Sequence, residues 1–255
     1  MGVGKYTPND SVQGDIGWKP VEIKLWLNIF KQWMKFTQMN NDRINYEIFK
    51  WSYEKSIQNK RNWCFKVRKK FNDMNCNYLT DINRVMHKTD VKKCEEILNN
   101  VFVNDWKSRI QSNSTGKKLR TYKLFKKDYH CEQYLSRFLP RLHRSALAKF
   151  RCGVAPLLIE TGRYSGINVN ERFCFNCTEE IEDEFHVLIK CPLYADLREK
   201  LFENIENTFT DFRNFNENDK FKFILSNGDI CHMVAKTCHS ILLCRNSHLF
   251  MSNSF

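Results

Sequence analysis

The chain has 255 residues, with 41 Lys and Arg against 29 Asp and Glu, a formal net charge of +12. Hydrophobic residues at 42% and aromatics at 14% exclude a disordered polyelectrolyte, and the length supports one large or two modest domains. Gly occurs 9 times and Pro 5 times, together about half of average usage and too few for a turn-rich β protein, so a mainly α fold is expected.

Unbroken apolar runs such as 241–244 fall far short of the roughly 20 residues that cross a bilayer, so no transmembrane helix is expected. No basic, then apolar, then small-residue leader follows Met1. An intracellular location, nucleus or cytoplasm, and reduced cysteines are the expectation.

From Val21 to about Lys70, Ile23, Trp26, Leu27, Phe30, Trp33 and Met34, and later Ile44, Ile48 and Trp51, recur at helical spacing. Two amphipathic helices with these stripes turned to the core are predicted, with Asp42 as N-cap of the second. A third helix is predicted over Asn62–Phe71. A fourth runs over Asp90–Val103 with Asp90 as cap and Val91, Cys94, Ile97, Leu98 and Val101 along one face.

Residues 111–118 are small and polar with Gly116 to turn on, and read as a linker. Pro140 fits the first turn of a helix running to Arg151. At 100° per residue, Arg141, Arg144, Ala148 and Arg151 fall on one face and Leu142, Ala146, Leu147 and Phe150 on the other, so the arginine face is expected to be solvated. Residues 196–209 and 230–250 read as two further helices around an Asn- and Asp-rich loop near 211–219. The resulting division is a helical region 1–110, a basic linker with amphipathic helices 111–160, a cysteine module 161–205 and a helical tail 206–255.

Charge is uneven: 13 Lys and Arg lie between residues 107 and 151 against only Asp128 and Glu132. Such a concentration suits a polyanion, with RNA or DNA favoured over a membrane surface. Lys117, Lys118, Arg120, Lys126, Lys127, Arg141, Arg144, Lys149, Arg151 and Arg163 are the candidate phosphate contacts. Tyr122, Phe125 and Tyr129 lie between them, either to stack on bases or to fill the core.

Of the 11 cysteines, Cys174 and Cys177 stand apart, followed by His186 and Cys191 as C-x2-C-x8-H-x4-C. Three thiolates and an imidazole complete a closed tetrahedral set, which predicts structural Zn2+ and no zinc catalysis. Such a site contributes about 10 kcal/mol of folding free energy in isolated finger peptides. Residues 172–200 carry more acid than base, so the zinc module is expected to present the basic helix rather than bind phosphate itself. Cys231-His232 and Cys238-His239 stand about two helical turns apart, too far for one ion, and read as core packing.

Several stretches share an order and spacing with a known family. They are Leu119-Arg120-Thr121-Tyr122-Lys123-Leu124-Phe125, Ala148-Lys149-Phe150-Arg151, Ile159-Glu160-Thr161-Gly162-Arg163-Tyr164, Arg172-Phe173-Cys174-Phe175-Asn176-Cys177, and Ile181 through His186 to Cys191-Pro192-Leu193-Tyr194. Residues 118–201 thereby resemble the C-terminal region of LINE-type (non-LTR) retrotransposon reverse transcriptase proteins, and residues 2–18 resemble the stretch after the polymerase domain.

The resemblance implies a region that grips template RNA or target DNA beside a polymerase. The polymerase itself is missing, and Tyr194-Ala195-Asp196-Leu197 is a coincidental match to the family's Tyr-x-Asp-Asp turn, with Leu197 for the second Asp and a place just after Cys191. No acidic residue stands two before a lysine around 211–222, as the nuclease of some relatives requires. The expected function is binding of nucleic acid without catalysis and with no small-molecule substrate. The alternatives are a zinc-scaffolded protein interaction module, its partner the polymerase part of a related element, or a decayed fragment.

Overall fold

The structure is a computed structural model that describes residues 1–112 and 117–252, the side chains of residues 117, 251 and 252 excepted. Of the expected linker at 111–118, residues 113–116 lie outside the described residues. Twelve α-helices occur among them and no strand, so the fold is mainly α as expected. No described helix is long and apolar enough to cross a membrane.

The chain divides into two compact units, residues 19–106 and residues 1–18 with 107–255. The first holds α2 (Val21–Thr37), α3 (Ile44–Lys55), α4 (Trp63–Asp73) and most of α5 (Lys88–Gln111). Its core is aromatic: Phe30 stacks on Phe71 at 4.8 Å between ring centroids, and Trp33 meets Phe49 edge-on at 5.2 Å. Asn62 caps α4 by accepting from the Cys64 N–H at 2.7 Å. At the other end Asn75 turns left-handed (φ 56°) and the Cys76 N–H returns to the Phe71 carbonyl at 2.8 Å.

Three expectations for this unit are corrected. Ile44, Ile48 and Trp51 do not face the core; they are 71%, 57% and 61% exposed, and α3 packs through Phe49 with Tyr46 and Tyr53 instead. Periodicity marks a stripe but does not say which stripe finds a partner. Asp42 is no cap, since Arg43 precedes α3 with no side-chain capping bond. Asp90 lies inside the first turn of α5 and reaches back to the His87 N–H at 2.9 Å, so the helix starts two residues earlier than expected.

The second unit holds α1 (Asn9–Ile16), the one-turn helices α6 (Tyr122–Phe125), α7 (Gln133–Ser136) and α9 (Leu158–Thr161), and α8 (Arg141–Arg151). It also holds α10 (Ala195–Glu206), α11 (Glu217–Ser226) and α12 (Cys231–Ser252). Helices α8 and α12 pack side by side, with His143 and His239 5.0 Å apart between ring centroids; Ala146, Leu147 and Phe150 on one and Val234, Cys238 and Ile241 on the other are buried. Cys231 and Cys238 are core residues, as read from the sequence.

An ionic node sits inside this unit. Asp15 is fully buried, its carboxylate accepting from Arg151 Nε and Nη2 at 3.0 Å each and from the hydroxyls of Tyr122 at 3.0 Å and Tyr134 at 2.7 Å. Arg151 also pairs with Glu132 at 3.0 Å and donates to the Leu225 carbonyl. With four of its lone-pair directions used, the Asp15 carboxylate stays charged although no water reaches it.

Candidate metal centre

Residues 172–182 form a short hairpin. The Glu182 N–H donates to the Arg172 carbonyl at 2.9 Å, the Cys174 N–H donates to the Glu180 carbonyl at 2.7 Å, and Phe173 bridges Ile181 in antiparallel register. Its turn is C-x2-C followed by Thr178 at φ 57°, with the Thr178 N–H returning to the Cys174 carbonyl at 2.8 Å. That turn brings the Cys174 and Cys177 side chains to one side.

The other two donors come from a π-turn over His186–Lys190, closed by a Cys191 N–H to His186 carbonyl bond of 2.8 Å. In an α-helix residues five apart diverge by about 140°. The wider π-turn closes that angle, so H-x4-C faces a single point.

One ligand atom from each of Cys174, Cys177, His186 and Cys191 lies within 4.8 Å of every other, and the group could hold a metal ion. Sulfur separations are 3.9 Å for Cys174–Cys191 and 3.7 Å for Cys177–Cys191, far beyond a disulfide, and all three cysteines are free. Two sulfurs bound at about 2.3 Å to one tetrahedral ion stand about 3.8 Å apart, so the observed edges fit. His186 is 3% exposed, and neither ring nitrogen has a hydrogen-bond partner among the described residues. A buried imidazole left this way costs free energy unless one nitrogen ligates an ion. The Cys191 thiol beside Cys174 pulls the Cys174 thiol down to about 3 against the opposing effect of burial, and Cys191 itself is pushed up.

The carboxylates around this centre are committed to the fold. Glu182 takes a two-pronged contact from Arg245 at 2.7 Å on each oxygen and also accepts the Leu158 N–H at 2.5 Å. Glu184 is fully buried against Arg120 at 2.5 Å and the Thr121 hydroxyl at 2.8 Å. Burial raises the Glu184 pKa in spite of Arg120. Arg198 donates to the Cys191 carbonyl at 2.9 Å, fixing the end of the π-turn.

The same contacts revise the set of cations expected to touch phosphate. Arg151, 2% exposed, is the partner of Asp15, and Lys126, 3% exposed, binds Glu132 and the His130 carbonyl. Both are structural, and the arginine face read from the helical wheel is overturned: Ala148 and Arg151 are buried while Leu142 is 65% exposed.

Arg120 is held by Glu184. Lys118 is held by Glu160 at 3.0 Å and the Tyr6 carbonyl, and Arg163 lies 3.1 Å from Glu160. Arg144 donates to the carbonyls of Arg137 and Leu139. Lys127 and Arg141 are exposed, Lys149 is half-buried, and no carboxylate pairs with any of the three among the described residues. The side chain of Lys117 lies outside the described residues.

Asp15, Glu132, Glu182 and Arg245 do the structural work here and were not read from the sequence. Glu182 and Glu184 were visible beside the cysteines, but nothing in the sequence names partners 63 residues away. No known protein family, curated protein or solved structure matches this chain.

Proposed function

We propose that the chain is a zinc-stapled nucleic-acid-binding protein that acts through phosphates and carries no catalysis of its own. Three thiolates and an imidazole are the donor set that selects zinc among the common divalent ions. A closed four-donor site leaves no position for an activated water. The observation that supports nucleic-acid binding is the surplus of positive charge on 107–151, where Lys127, Arg141 and Lys149 pair with no carboxylate among the described residues. Cations already paired within the fold release no counterions, whereas these three do. The resemblance of residues 118–201 to the C-terminal region of LINE-type reverse transcriptase proteins supports template RNA or target DNA as the ligand.

The test is fluorescence anisotropy of the zinc-loaded chain with RNA, single-stranded DNA and duplex DNA at about 50 and 200 mM salt. The three contacts are expected to contribute about 2 to 3 to the log–log slope, at about 0.7 to 0.9 each, and K127E/R141E/K149E should abolish that share of it. An unchanged slope in this variant removes the reading. Metal analysis of the purified chain should return one zinc per molecule, and much less than one argues against the zinc assignment.

A second reading, a protein interaction module, is favoured by Phe138 at 100% exposure and Leu142 at 65% close to Arg141. Capture of a partner that survives K127E/R141E/K149E but fails with Phe138→Ala would support it over nucleic acid.

A further inference from the structure

Residues 55–70 hold seven Lys and Arg and no Asp or Glu. Two of the seven are used inside their own unit. Arg68 donates to the Ser56 hydroxyl at 3.0 Å and lies over the Tyr53 ring, and Lys70 lies over the Trp26 ring. The other five, Lys55, Lys60, Arg61, Lys66 and Lys69, are exposed, and none pairs with a carboxylate among the described residues. On α4, Lys66 and Lys69 stand on the side opposite Cys64, Val67 and Phe71, which fill the core.

One turn before Lys55 on α3, Trp51 exposes 61% of its surface. The neighbouring Ser52 carbonyl accepts from the Asn62 side-chain amide at 3.0 Å, and Asn62 caps α4. The turn that carries the indole is therefore tied by the Ser52–Asn62 contact to the head of the helix that carries the lysines.

We propose that this surface binds single-stranded nucleic acid, with phosphates on Lys55, Lys60, Arg61, Lys66 and Lys69 and an unpaired base stacked on Trp51. An indole whose face is open to solvent beside unneutralised cations offers both halves of single-strand recognition, a stacking platform and a phosphate track. A duplex hides its base faces and gains nothing from the indole. The proposal stands apart from the one made for α8, because it concerns other residues in the other unit.

The test uses the full chain and labelled oligouridylate, oligothymidylate and duplex DNA of about 20 units, read by anisotropy at about 50 and 200 mM salt. K60E/R61E/K66E/K69E is expected to lower the single-strand salt slope by about 3, at about 0.7 per lost phosphate contact. Trp51→Ala is expected to weaken single-strand binding roughly 5- to 150-fold, with the salt slope and the duplex affinity unchanged. Far-UV circular dichroism of both variants should match the parent, because every altered side chain is exposed.

Parental single-strand affinity in either variant overturns the proposal, as does an equal loss on duplex with Trp51→Ala. So does an absence of binding at about 50 mM. Binding lost only in K127E/R141E/K149E would overturn this surface while leaving the α8 reading intact, and the converse result would do the reverse.

Discussion

At Asp15, burial alone would raise the carboxyl pKa, yet the Arg151 guanidinium and hydrogen bonds from Arg151 and Tyr134 hold it below the ordinary value. A carboxylate depressed in the folded state stabilises the fold above its unfolded pKa of about 3.9, and that contribution is lost as pH falls through the folded value. Asp15→Asn is expected to cost about 3–5 kcal/mol at pH 7, because Arg151 keeps its burial and loses its main counter-charge. The same variant should flatten the loss of stability below about pH 4, as urea melts at two pH values will show. Pairing it with Arg151→Met should cost less than the two single changes summed.

Glu184 acts in the opposite sense: burial raises its pKa, so it weakens the fold as pH rises from its unfolded value through the folded one. Thr178 is a β-branched residue at φ 57°, a conformation that suits glycine. Thr178→Gly is expected to raise the melting free energy of the metal-loaded protein by about 1 kcal/mol. The Cys174, Cys177, His186 and Cys191 cluster was legible because its spacing is local. Arg151 and Lys126 were not, because burial of a cation depends on acids whose spatial nearness no spacing encodes.

Among the elements, α8 ends on Gly153 at φ 67°, where an added Cβ would run into the Lys118 carbonyl oxygen. Gly153→Ala is therefore expected to cost more than the roughly 1–2 kcal/mol of a left-handed alanine alone, measured by thermal melting. The hairpin 172–182 has little apolar core of its own, so, if the Cys3His group holds zinc as proposed, chelation should release the hairpin first. Hydrogen exchange at the Cys174 and Glu182 amides is expected to accelerate on chelation while α8 amides keep their protection.

Helices α2, α4, α10 and α12 were legible in kind and to within about three residues at their ends, because each carries a long stripe. Helix α11 was not, since its start reads as a polar loop. Asn216 there accepts from the Asp219 N–H at 2.9 Å as a cap, and the buried Phe221, Ile224 and Leu225 follow only afterwards. In α3 the periodicity marks the helix but not its buried face, since the stripe of Ile44, Ile48 and Trp51 is the exposed one.

For the molecule as a whole, two units with separate cores predict two calorimetric transitions. Chelation should lower only the one belonging to residues 1–18 and 107–255, which hold the cysteine cluster, and a shift of both would contradict this. The division was not legible in the sequence, because the boundaries fall beside α2 and inside α5 rather than in a Gly- or Ser-rich linker.

One unit is interrupted by the other, and that has a consequence for synthesis on the ribosome. Arg151 is made 136 residues after Asp15. At about 5–20 residues per second, the N-terminal segment waits roughly 7–27 s for its counterpart, long enough for residues 19–106 to collapse on their own core in the meantime. The first piece of the interrupted unit to emerge is thus among the last to be locked in place, and its helix α1 passes that interval as an unprotected nascent segment open to chaperones and proteases.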